Sequence, residues 1–185
     1  MKRLQQINTA MRAATLSAAF LALAAVAAFA APSKPPSRIE VSWAPPEQLA
    51  EVKNNQFNRG WLRTDDWEQR LGDHLRKSAD RILPPGQQLQ VHVDDISLAG
   101  SFEPWHQPGT QDIRILKEIY PPWLSLHYTL LAADGSTIRE GDAKLRDGSY
   151  LQREPPGYAS DPLRYDKRMI DDWLSREFKS ANKSG

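Results

Sequence analysis

Five Pro-Pro pairs cut this chain into lengths that leave little freedom in where its elements begin and end. Ten of the fourteen prolines stand as pairs at 35–36, 45–46, 84–85, 121–122 and 155–156. A proline ring fixes φ, removes a backbone donor and pushes the preceding residue out of the helical region. A regular element therefore has to fit between two pairs.

The intervals read clearly. Ile39, Val41 and Trp43 alternate with Glu40 and Ser42, a half-buried strand stopped by Pro45-Pro46. Gln48 to Arg63 is polar, with Phe57, Trp61 and Leu62 as its large apolar groups, and reads as a loop with one helical turn. Asp65 with Glu68 three residues on resembles a capping box, and Trp67, Leu71, Leu75, Ala79 and Ile82 then share one helical face up to Leu83, where Pro84-Pro85-Gly86 ends the helix. Leu89, Val91 and Val93 alternate, but Ile96 and Leu98 continue on the other parity, so Asp94-Asp95 holds one extra residue and predicts a bulge. In the long connection Gly100 to Pro122, Asp112 is positioned to cap a short helix with Ile113, Leu116 and Ile119 or Tyr120 on one face.

Leu124, Leu126, Tyr128 and Leu130 form another alternating run, which Asp134-Gly135 turns into Ile138 to Leu145. After a surface connection from Gly148 to Ser160, Asp161-Pro162 opens a final helix. There Tyr165, Met169 and Trp173 make one apolar row and Ile170, Leu174 and Phe178 the next. Strand, helix, strand, loop, hairpin and helix sum to an α+β fold. The expected form is a two-layer sandwich: a small mixed four-stranded sheet, its first two strands parallel, with two main helices on one face and the other face open.

Residues 1–30 have the layout of a cleaved signal peptide: Lys2, Arg3 and Arg12, an apolar run from Ala13 to Ala28, and Ala28-Phe29-Ala30 as the cleavage pattern. The run is short and alanine-rich for a membrane span, so none is expected after processing, and the address implied is the periplasm. The leader holds three cations and no acid; taking these from the formal +1 leaves −2 for residues 31–185. That slightly acidic, interspersed charge argues against nucleic acid as a partner. With no cysteine there is no disulfide, no thiolate zinc site and no thiol for acylation. Residues 31–37 read as a Pro-rich arm, 38–180 as a single α/β domain and 181–185 as a disordered tail.

Several sequence words carry a resemblance. They are Leu83-Pro84-Pro85-Gly86, Leu98-Ala99-Gly100 followed by Phe102-Glu103-Pro104-Trp105, Asp112 to Pro122 ending in Ile119-Tyr120-Pro121-Pro122, and Asp161-Pro162-Leu163-Arg164-Tyr165 leading to Asp171-Asp172-Trp173. In these the chain resembles the secreted bacterial domain-of-unknown-function family 3016. The resemblance implies a periplasmic address and one α/β domain, and brings no activity with it.

Chemistry has few candidates. His92 and His127 lie on the polar parity of their strands, so if those strands pair they meet on the open face, which would allow a two-histidine site with Asp94; the plainer reading is a solvated polar face. His74, flanked by Leu71 and Leu75, reads as a core-edge residue. No G-x-S-x-G elbow and no H-x-x-x-H spacing occurs, so no catalytic residue, metal or cofactor is expected. The long loop is the best candidate for binding, since Phe102, Trp105, His106 and Tyr120 stand there with Arg114 and Lys117, but the plainer reading is that these aromatics roof the exposed sheet face and finish the core. Arg164, Tyr165, Lys167 and Arg168, close to Asp161, Asp166, Asp171 and Asp172, read as helix-surface pairs. The favoured function is non-enzymatic, a binding or envelope-accessory protein for an envelope protein or small ligand; the alternative is a small secreted hydrolase of an envelope polymer using His92, His127, Asp94 and Asp95.

Overall fold

Among the described residues six strands form: β1 (Ile39–Trp43), β2 (Gln88–Ser97), β3 (Ser101–Phe102), β4 (Arg114–Ile115), β5 (Trp123–Leu131) and β6 (Thr137–Arg146). The computed structural model describes residues 37–55, 66–103, 105, 113–153 and 160–179, all within one compact unit, Lys34–Gly185. The leader, residues 31–36 of the arm, Asp65, His106, Asp112, Pro155-Pro156 and the tail lie outside the described residues.

The main sheet runs β1-β2-β5-β6, with β1 parallel to β2 and the other pairs antiparallel. The predicted bulge is present: Val93 pairs with Leu126 and Asp95 with Ser125, leaving Asp94 as the extra residue. The hairpin turn at Asp134-Gly135 uses Gly135 at φ +82, where a side chain would be strained.

Three α-helices are described: α1 (Ala50–Asn54), preceded by a 3-10 turn at Pro46–Gln48, α2 (Trp67–Ile82), and α3 (Arg164–Leu174), which continues as a π-helical turn over Ser175–Lys179. Trp67, Leu71, Leu75 and Ala79 of α2 join Met169, Ile170, Trp173 and Leu174 of α3 in one apolar cluster with Leu89, Val91, Leu126 and Tyr128 of the sheet. Both helices therefore cover the same face, as the α+β two-layer reading requires. Tyr128, Trp173 and Phe178 meet edge to face at 5.7 Å, and each such buried side chain contributes about 1.5–3 kcal/mol. His74 is buried between the helices, its Nε2 2.9 Å from Asp171 Oδ1.

Three expectations are corrected. Residues 113–120 hold no helix: Arg114–Ile115 pairs antiparallel with Ser101–Phe102 as a short ribbon. The Arg114 side chain, drawn to Glu51 and to carbonyls of residues 98–100, holds its backbone extended beside β3. The final helix starts at Arg164 instead of Pro162, because Asp161 forms a turn of its own: its Oδ1 accepts the Leu163 N–H at 2.9 Å and its carbonyl the Arg164 N–H at 3.1 Å. The cations of this helix are not simple surface pairs, since Arg168 is buried against Asp147, Nη2 to Oδ2 at 2.5 Å, and Asp166 is buried as well.

Candidate functional site

The open face is polar. Glu40, Ser42, Gln90, His92, Asp94, His127, Glu140, Asp142 and Lys144 are exposed on it, because the bulge and the alternation send every large inward residue toward the helices. Ser42 pairs with His92, His92 with His127 and His127 with Asp142, so one row crosses all four strands. Ser42 Oγ lies 2.9 Å from His92 Nδ1, and His127 Nδ1 lies 2.9 Å from Asp142 Oδ1. The row crosses a shallow trough of 540 Å³ lined by Glu40, Ser42, Gln90, His92, His127 and Thr129, among others.

The polar cluster expected on this face is only partly assembled. His92 and His127 are adjacent, and Asp94 Oδ1 stands 3.9 Å from His92 Nε2. Asp95 has left the group. Its Oδ1 accepts the Ala50 N–H at 2.6 Å, capping α1 from a neighbouring strand, and also the Ile96 N–H at 2.9 Å. The two imidazoles are each 47% exposed, an environment in which water screens any base. Two carboxylates facing across a cleft, as polymer hydrolysis requires, are not what this row provides.

The long connection is also built differently from a free binding loop. Arg114 chelates Glu51, Nη1 to Oε1 at 2.7 Å and Nη2 to Oε2 at 3.0 Å, and donates to the carbonyls of Leu98, Ala99 and Gly100. Its guanidinium sits 5.2 Å from the centre of the buried Phe102 ring. Tyr120 Oη donates to Glu103 at 2.8 Å, and Lys117 pairs with the same carboxylate at 2.7 Å. Phe102, Arg114 and Tyr120 thus fasten the segment down, leaving Trp105, 72% exposed, as its one described aromatic in solvent. Gly100 makes the close approach possible: at φ +83, a Cβ there would lie 2.7 Å from the Ile115 carbonyl oxygen.

Beside this knot lies a second cavity, a cleft of 340 Å³ where β4 and the segment after β2 meet the start of α3. Leu98, Ala99, Leu116, Pro162 and Leu163 give it apolar walls, while Ser160, Arg114 and Arg164 are its polar lining. Asp166, 1% exposed, completes it. Its Oδ1 accepts the Ala99 N–H at 3.0 Å, and its Oδ2 is buried with no hydrogen-bond partner. Burial pushes the Asp166 carboxyl up to about 7; Arg114 and the Ala99 N–H oppose the shift and Glu51 adds to it. Near neutral pH the carboxyl is therefore partly protonated, and its Oδ2 is an oxygen that no described residue bonds.

From the sequence alone Asp166 reads as one of the helix-surface charges. The signal was there: it stands four residues before Ile170 and eight before Leu174, an acid on an apolar row. Glu51 carried no comparable signal, since its partner Arg114 is 63 residues away.

Among solved structures, a minor lipoprotein from Acinetobacter baumannii, a crystal structure at 2.35 Å, is similar at 12% identity, with 80% of this chain and 95% of that chain covered and a TM-score of 0.24. That TM-score is too low to carry its fold or its properties across. A comparison with curated proteins finds no match. The family model described as "Protein of unknown function (DUF3016)" matches residues 37–176, a span that contains all the sequence words quoted above, and the chain belongs to that family.

Proposed function

We propose that the protein is a non-enzymatic binding protein of the bacterial envelope that takes a small ligand in the cleft beside Asp166. The observation that carries this reading is the unpartnered, buried Oδ2 of Asp166 in a cleft with apolar walls. Leaving a polar atom buried without a bond costs about 1–3 kcal/mol, a cost that a ligand donating to Asp166 would remove. Apolar walls with a few placed polar groups are the usual make-up of small-molecule sites, and buried groups with shifted pKa values cluster in them. The ligand this chemistry suits has an apolar body and a hydroxyl or amine donor. The periplasmic address rests on the leader, with its basic start and Ala28-Phe29-Ala30 pattern.

Native mass spectrometry of protein purified from periplasm tests the reading. The wild type should carry a small-molecule adduct that Asp166→Leu, which deletes the acceptor, has lost. Wild-type protein that arrives without an adduct, or a variant that keeps the same one, would overturn it.

A further inference from the structure

The Ser42, His92, His127 and Asp142 row has a property that the cleft does not explain. We propose that His92 and His127 form a two-imidazole site for a divalent transition metal on the open face of the sheet. The two residues are direct partners on β2 and β5, and opposite residues of an antiparallel pair hold their Cβ atoms about 4.5–5.5 Å apart. Two imidazoles on that base reach a single ion at the usual metal–nitrogen distance of about 2.0–2.1 Å.

The hydrogen bonds select the metal-binding tautomer in His127 and permit it in His92. Asp142 is a carboxylate and accepts, so His127 Nδ1 carries the proton and Nε2 keeps its lone pair. Ser42 Oγ, 2.9 Å from His92 Nδ1, can accept from Nδ1–H when its own proton turns to the Val91 carbonyl 3.4 Å away. Both Nε2 lone pairs are then free, and each ring is oriented through its other nitrogen, the arrangement that surrounds metal-ligating histidines. Among the described residues no group of three or more His, Cys, Asp or Glu side chains is gathered for a metal, so the chain supplies two ligands and water in the trough completes the coordination. Asp94, 3.9 Å from His92 Nε2 on the bulge, is close enough to support the ion through one such water. Imidazole ligands suit Cu²⁺, Ni²⁺ and Zn²⁺, with Cu²⁺ the tightest. The expectation of no metal rested on spacing along the chain, and these two ligands come from different strands.

Untagged protein titrated with Cu²⁺ and Zn²⁺ tests the site, by calorimetry and by the nitrogen hyperfine pattern of the copper spectrum. One Cu²⁺ per chain with two coordinating nitrogens is expected, and His92→Ala and His127→Ala should each weaken it by more than about tenfold, since each removes half of the protein's ligands. Asp142→Ala, which leaves both ligands in place, should still cost roughly tenfold through the lost anchor. His106→Ala should change nothing. All four variants are checked for wild-type circular dichroism. Affinity within twofold of wild type in both the His92 and His127 variants, or a copper spectrum with one nitrogen or none, would overturn the proposal.

Discussion

Replacing Asp166 by Asn should remove a pH dependence of stability that the wild type carries. Burial raises the folded-state pKa to about 7, against an ordinary 3.8. Between those values the folded protein holds a proton that the unfolded chain has released, so stability is highest below the unfolded pKa and falls as pH rises through the folded one. The whole window spans about three pH units, and at about 1.4 kcal/mol per unit it comes to about 4 kcal/mol. Asn is neutral throughout, and its Oδ1 can still accept the Ala99 N–H. Taking wild type minus Asp166→Asn at each pH cancels the other carboxylates, and between pH 5 and pH 8 the difference should move against the wild type by about 2–3 kcal/mol. Urea unfolding followed by the fluorescence of the buried Trp67 and Trp173 measures it. Parallel stability profiles for the two proteins would show that Asp166 ionises normally in the fold and would refute the reasoning.

Other substitutions test the frame that holds the cleft. Arg114→Met strands Glu51, 1% exposed, without its counter-ion and should cost about 3–5 kcal/mol in urea unfolding. Gly100→Ala places a Cβ at φ +83 against a backbone oxygen and should cost at least about 2 kcal/mol, while Gly141→Ala, whose Cβ would meet Tyr128 at ordinary contact distances from 3.5 Å, serves as its tolerant control. Asp95→Ala removes the cap of α1 and should cost about 1 kcal/mol, seen first as faster hydrogen exchange at Ala50.

The parts of this fold that could be read from the sequence are those fixed by neighbours along the chain. Alternation in Leu89–Val93 and its parity change at Ile96 give both strand and bulge, since side-chain direction in a strand depends on residue count alone. The same count put His92 and His127 on the open face, and pairing of β2 with β5 makes them partners. The ribbon at Arg114 was not readable. Its local pattern of Ile113, Leu116 and Ile119 mimics a helix face, yet Ile113 and Ile119 are 56% and 72% exposed, and what decides the backbone is a bidentate bond to a distant glutamate. Asp95 shows the same limit: two adjacent acids look like a surface pair until the bulge turns one of them toward α1.

The molecule is held together differently at its two ends. Where α2 and α3 lie on the sheet, hydrocarbon and aromatic edges do the joining. Where α1, the β3–β4 ribbon and the start of α3 converge, the joints are Glu51 with Arg114, Glu103 with Lys117, and Asp166 on the Ala99 amide. Charges desolvated in that way fix a geometry closely while adding little net stability. The ribbon end is therefore suited to a partial opening that leaves the helix-on-sheet half intact, with amide exchange dividing along the same line. In that case a guest could reach the inner carboxylate without global unfolding.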